Sequence, residues 1–218
     1  MATDLRTQFL KYMTLQRFAS HTKRSYVTGV KGLAKYYRQS PDTLTNDQIQ
    51  DYLRYLIEDR QLSWGTVNAY LSGIVCFYRD FCKWDEAKFR IPPRPGARIL
   101  PTVFSKPEVK RLLAAADNLK HRLLLATVYS AGLRVSELVR LKPHHIESDP
   151  DRMLIRVEQG KGKKDRYTVL SQKLLEDLRI YWRQYHPGKW LFAGQNSENH
   201  LSEAAAQRVF YITKKKPA

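Results

Sequence analysis

Ala131-Gly132-Leu133-Arg134-Val135-Ser136-Glu137-Leu138 is the stretch from which the rest of this 218-residue chain can be read. A glycine closes one apolar segment, and two residues later an arginine stands at the start of the next. Further on, Gly160-Lys161-Gly162-Lys163-Lys164-Asp165-Arg166 sets a lysine-rich glycine turn between two strand-like runs. An arginine at a helix N-terminus joins a guanidinium to unpaired backbone N–H groups, and a lysine on a hairpin tip adds a second cation. That combination suits one phosphate. Glu137, one helical turn from Arg134, can orient it. Each group also has a plain reading: Arg134 and Glu137 as a surface ion pair, Lys161 as a solvated turn residue. Lys163, Lys164 and Arg166 read as backbone contacts to a nucleic acid or as solvent-facing charges.

Outward from this stretch, the bulk charge points the same way. Lys and Arg number 38 against 21 Asp and Glu, a net charge of +17, and the basic residues run the whole length. A polyanionic partner, nucleic acid above all, is what such an imbalance implies. Hydrophobic residues make up 43% of the chain, enough to bury a core. Cys76 and Cys82 form no CxxC or Cys/His cluster, so no metal site and no cofactor is expected, and both read as reduced core residues. With no signal core and no apolar run near ~18 residues, the expectation is a cytoplasmic protein, bacterial and nucleoid-associated, with no membrane partner.

Residues 1–88 read as a helical domain. Leu5, Phe9, Tyr12 and Met13 mark an opening helix; Ser20 or Thr22 caps a second that buries Tyr26, Val30, Leu33 and Tyr37. Thr45 opens a third, with Ile49, Tyr52, Leu53 and Leu56 inward. Val67, Tyr70, Leu71, Ile74, Val75 and Tyr78 keep helical spacing throughout a fourth. Lys23, Arg24, Lys31, Lys35 and Arg38 give this bundle a basic exterior. Residues 89–104, with Ile91-Pro92-Pro93-Arg94-Pro95-Gly96-Ala97-Arg98, cannot continue a helix. This linker is either a strap whose Arg94 and Arg98 follow a phosphate backbone or a plain spacer.

The second domain, 105–218, opens on Ser105-Lys106-Pro107-Glu108, which has the form of a capping box. Leu123 to Val128 read as a buried helix closed by Gly132, and Arg134 to Leu141 as another, stopped near Pro143. Met153, Ile155 and Val157 alternate as a strand, with Tyr167 and Val169 alternating as its partner. Leu174, Leu175, Leu178 and Tyr181 mark a helix, Trp190-Leu191-Phe192 a short apolar segment, and Ser202 to Ile212 a final helix. The fold class is mainly α with a small β-hairpin or sheet, α+β.

In this order, these features resemble the tyrosine recombinases, the phage integrase family, over nearly the whole chain. Residues 131–138 look like its first catalytic-arginine box, and Gly160 to Arg166 followed by Tyr167-Thr168-Val169-Leu170 like its catalytic-lysine hairpin. The first domain looks like its SAM-like core-binding domain through Ser20, Thr22, Tyr26 and residues 67–78. The resemblance implies Arg134 as a scissile-phosphate ligand, Glu137 as its support and Lys161 as general acid for the leaving 5′-hydroxyl. Lys23, Arg24, Lys31, Arg94, Arg98, Lys163, Lys164 and Arg166 are the candidate DNA contacts. It further implies attack by a tyrosine to give a 3′-phosphotyrosine, without metal or external energy, by protomers paired on double-stranded DNA. The partner is then another copy or a full-length recombinase.

The family pattern continues with a His-x-x-Arg box and a nucleophilic tyrosine after a helix like Ser202 to Ile212. Neither is found within the 218 residues. His186-Pro187-Gly188-Lys189 reads as a turn, His200-Leu201-Ser202-Glu203 has a carboxylate where a cation is needed, and Tyr211 reads as a helix side chain. The expectation is therefore a catalytically incomplete chain, cut by a frameshift or stop near Lys214-Lys215-Lys216, with part of the Leu123 to Val128 layer exposed. No nucleophile is identified. Rival readings are a non-catalytic DNA-binding regulator of recombination and a non-functional remnant of a mobile element.

Overall fold

The chain divides into two units, Met1–Leu100 and Pro101–Ala218. The computed structural model describes residues 3–94, 102–158 and 164–216. The first unit is helical: α1 (Thr3–Leu15), α2 (Ser20–Tyr37), α3 (Asn46–Glu58) and α4 (Trp64–Val75). Phe9, Met13, Val30, Leu33, Ile49, Leu53, Ile74 and Phe77 are fully buried in one cluster, as the 3.6-residue spacing requires. Thr45 accepts the N–H of Gln48 while Gln48 Oε1 accepts that of Thr45, so a reciprocal cap starts α3. The start of α2 differs from expectation: Ala19 occupies the cap position without a side-chain bond, and Ser20 is already helical.

The fourth helix also departs from simple periodicity. After Val75 it widens into a π-helical turn, Cys76–Phe81. The changed winding turns Cys76, Phe77 and Tyr78 inward, and the Tyr78 hydroxyl donates to the Pro41 carbonyl. Cys76 is buried as expected, but Cys82 is exposed because it follows the end of that turn. Where α2 crosses α4, a Cβ on Gly73 would lie 2.6 Å from Tyr26 Cα, so only glycine permits the approach.

Residues 86–94 do not hang free. Asn46 donates to Glu86 O and accepts from Lys88 N, each at 3.1 Å. One helical turn on, Gln50 donates to Arg90 O at 2.8 Å and accepts from Arg90 N at 3.1 Å. Trp64 Nε1 donates to Pro92 O at 3.0 Å, and the Arg94 guanidinium lies 5.8 Å over the Trp64 ring. A non-helical segment must satisfy its backbone somewhere, and two side-chain amides serve here.

In the second unit, α5 (Lys106–Ala114) starts at the Ser105–Glu108 capping box with Pro107 in its first turn. Next, α6 (Leu119–Ala131) ends at Gly132, whose φ of 59° is the left-handed conformation of a helix stop. The following helix, α7 (Val135–Leu138), is one turn long rather than reaching Leu141. A 3-10 turn, Pro143–His145, leads into β1 (Ile146–Glu147), an element the alternation did not announce. Strands β2 (Leu154–Val157) and β3 (Arg166–Val169) complete an antiparallel sheet of order β1-β2-β3. Two helices follow, α8 (Gln172–Tyr185) and α9 (Glu203–Lys215). Leu123, Leu138, Val139, Ile155 and Phe192 centre the core.

Leu123, Leu124 and Leu125 are buried, so that layer is more enclosed than expected. Leu124, Leu125 and Val128 nonetheless floor an open apolar groove of about 450 Å³, walled by Leu112 of α5 and Phe210 of α9. Among the described residues, no helix is long and apolar enough to cross a membrane.

Candidate functional site

The second-unit site is built on one carboxylate. Glu137 has a side chain only 3% exposed, yet it meets two arginines. Its Oε1 accepts Arg134 Nη1 at 2.9 Å; its Oε2 accepts the Arg134 backbone N–H at 2.9 Å and Arg166 Nη2 at 2.8 Å. Burial works to raise the Glu137 carboxyl pKa, but the Arg134 N–H and the two guanidinium groups outweigh it and hold it below its ordinary value. The carboxylate is thus charged at neutral pH, and it fixes Arg134 while leaving that side chain 55% exposed.

The geometry alters the expected grip in one respect. With α7 only one turn long, and Glu137 itself accepting the Arg134 N–H, the N-cap donor is taken by the protein's own anion. The charged group left open to an external anion is the Arg134 guanidinium. Lys161, Lys163 and Arg98 lie outside the described residues, while Lys164 is exposed just before β3. Arg166, expected among the solvent-facing or DNA-contacting charges, is half-buried against Glu137.

In the first unit, Lys23, Arg24 and Lys31 come together. With Arg6, Ser20 and Thr28 they line a shallow pocket on α1 and α2. Lys23 Nζ donates to Thr14 Oγ1 at 3.2 Å, while Arg24 and Lys31 are exposed. Arg6 was missed by sequence reasoning; its only signal was a place on the polar face of α1. Arg94 stacks on Trp64 within the same unit.

Two family comparisons cover these two units. The sequence model described as the phage integrase N-terminal SAM-like domain matches residues 5–86, and that of the phage integrase family matches residues 102–217. The chain belongs to the phage integrase family. A relative from Sinorhizobium fredii that carries the name integrase/recombinase is 37% identical over 204 residues, 93% of this chain and 66% of that protein. A second from the same organism is 40% identical over 74% of this chain and 64% of its own length. The chain therefore spans just under two thirds of these relatives. Tyrosine recombinase XerA of Thermococcus kodakarensis is 29% identical over 95% of the chain and 72% of its own. A crystal structure of a lambda integrase dimer bound to a COC′ core site shares the fold, with TM-score 0.74 at 16% identity. That match covers 98% of this chain and 80% of the other.

This integrase-family chain also braces the other leg of the lysine hairpin. Glu158, just after β2, takes Lys142 Nζ on Oε2 at 3.3 Å and lies 3.7 Å from Arg156. The Lys142 contact leads in holding its carboxyl below the ordinary value. His145, 2% exposed, has Nε2 3.3 Å from the same oxygen but without hydrogen-bond geometry. Burial pushes the His145 pKa down, although Glu158 opposes the shift. His144, His145 and Glu158 bring potential metal donors within 4.8 Å of one another. His145 Nδ1, however, accepts the Lys142 N–H at 3.2 Å, which leaves the neutral ring's proton on Nε2. Lys142 and Arg156 already neutralise Glu158, so the cluster is a support for the hairpin and a poor cation site.

Proposed function

We propose that this chain supplies the DNA-gripping part of a site-specific recombinase: a core-binding unit and a phosphate-holding portion of the catalytic unit. The observation that carries this reading is the buried Glu137 carboxylate, which fixes Arg134 by two contacts yet leaves its guanidinium facing solvent. An arginine oriented before its ligand arrives loses little freedom on binding, and its remaining donors match the non-bridging oxygens of a DNA phosphate. As charge grows on those oxygens during phosphoryl transfer, the same donors stabilise it.

The assignments follow the family resemblance. Arg134 holds the scissile phosphate and Glu137 supports it. Lys161, in the sequence between β2 and β3, protonates the leaving 5′-hydroxyl as a tyrosine oxygen bonds to phosphorus. Lys23, Arg24, Lys31 and Arg6 of the first unit follow the duplex backbone, as do Arg94, Arg98, Lys163 and Lys164. Within the 218 residues we assign no nucleophile, so the polypeptide by itself is expected to bind DNA without cleaving it.

Fluorescence anisotropy with a labelled duplex tests the binding half. Affinity should fall steeply with salt, and Arg134→Ala should weaken it while lowering the log–log salt slope by about 0.9. A salt-independent affinity would refute the reading. A nicked suicide substrate tests the other half: a covalent DNA adduct on the purified 218-residue chain would place a nucleophile within it.

A further inference from the structure

Strand β3 carries its polar and apolar residues the wrong way round for a strand packed on a core. Tyr167 and Val169 are exposed at 55% and 65%, while Arg166 and Thr168 turn inward. An inward polar side chain is costly unless it is paired. Both are paired, and to one short piece of chain. Thr168 Oγ1 donates to Ala131 O at 2.8 Å. Arg166 Nη2 donates to Glu137 Oε2 at 2.8 Å and reaches Gly132 O at 3.5 Å. Ala131 ends α6 and Gly132 is its C-cap, so these carbonyls belong to the helix end that lacks internal donors. Two side chains of β3 thus serve as the C-terminal cap of α6, and a cation there also suits the helix dipole.

We propose that Arg166 and Thr168 are positioning residues, which hold the turn bearing Arg134 and the outgoing leg of the lysine hairpin at a fixed distance. This rests on the phosphate reading of Arg134 given above. Arg166 shares Glu137 Oε2 with the Arg134 N–H, while Oε1 takes the Arg134 guanidinium, so the carboxylate cannot swing toward solvent without breaking the strand contact. Arg134 then keeps one orientation. The same bonds locate β3 against α6, and with it one end of the segment that contains Lys161. At the other leg, Glu158 is held by Lys142. The hairpin is therefore fastened at both feet to the region that carries the arginine. Arg166 acts on DNA through Glu137 and Arg134 rather than as a phosphate ligand.

Affinity of the full 218-residue chain for a fluorescein-labelled duplex of about 30 base pairs, followed across roughly 50 to 300 mM salt, separates these roles. Arg166→Met should weaken binding about tenfold. Thr168→Val removes only the bond to Ala131, with no change of charge, and should weaken it about threefold. Both losses should vanish in an Arg134→Ala background, because there is no longer an oriented guanidinium to disturb. The result that overturns the proposal is an Arg166→Met loss that persists in that background and lowers the salt slope by about 0.9, which marks a direct phosphate contact. A Thr168→Val chain that binds like the parent overturns it equally, and this variant carries the test if Arg166→Met fails to fold by circular dichroism. Should Arg134→Ala alone leave binding untouched, the phosphate reading of the site fails first, and visibly so.

Discussion

Replacing Glu137 by glutamine is the sharpest probe of the second unit. The carboxylate is 3% exposed and accepts three hydrogen bonds at 2.8 to 2.9 Å, two of them from guanidinium groups. Charge-assisted bonds contribute about 1.5–3 kcal/mol each, and breaking a buried pair costs about 3–5 kcal/mol. Two corrections reduce that figure. The amide oxygen can keep the Arg134 N–H, and both arginines, 55% and 36% exposed, can turn to water. A loss of about 2–4 kcal/mol remains, which lowers the Tm of a domain this size by about 10 °C. Urea unfolding with peptide-level hydrogen exchange assigns the loss to residues 132–169. A pH series adds a second signature. Because the folded carboxyl pKa lies below its ordinary 4.5, its stabilisation is complete above that value and is lost as pH falls through the folded one. Glu137→Gln should remove that part of the acid sensitivity. A variant within about 0.5 kcal/mol of the parent, or one that loses stability in parallel below pH 4.5, would refute the reasoning.

Four further outcomes follow from the structure. Gly73→Ala puts a methyl 2.6 Å from Tyr26 Cα and should cost about 2–3 kcal/mol of first-unit stability by chemical denaturation. Gly65→Ala, where nothing lies within 4 Å, should be neutral or slightly stabilising. His145 titrates below 6.5 when folded because burial disfavours its charge, so the unfolded chain takes the proton first as the solution is acidified. Melting temperature should therefore decline from about pH 6.5 downward, and His145→Gln should flatten that decline; an unchanged slope would remove His145 from the account. Trp64→Ala loses the bond to Pro92 and the stacked Arg94, so trypsin should cut after Arg90 about tenfold faster.

Most helices were legible because their burial has one period. Ile49, Tyr52, Leu53 and Leu56 all face inward, as do Leu174, Leu175, Leu178 and Tyr181. The capping box at Ser105 and the stop at Gly132 were equally plain, since each depends on local chemistry alone. What escaped notice was set by distant partners. Nothing near Arg166 announces that it faces Glu137, 29 residues earlier. Tyr167 and Val169 supply the right alternation for a strand but lie on its outer face, because Arg166 and Thr168 have carbonyls and a carboxylate to satisfy. The π-helical turn at Cys76 changed the inward set without changing the composition. Nothing in the sequence around Gly73 shows that Tyr26 packs against it. Of the site itself, Arg134 and Glu137 could be named from their i, i+3 spacing, whereas their second arginine could not.

The Glu137–Arg166 contact has a consequence for the order in which this unit can form. Ala131, Gly132, Arg134, Glu137, Lys142, Glu158, Arg166 and Thr168 are joined by bonds that span no more than 37 residues of chain. Short loops close at lower entropic cost, so such a cluster can assemble as an early cooperative segment. By contrast, Leu191 pairs its N–H with the Leu141 carbonyl across 50 residues, and α9 completes the wall around Phe210 later still. A nascent chain leaving the ribosome would then carry a finished arginine clamp before its apolar groove has acquired its last side.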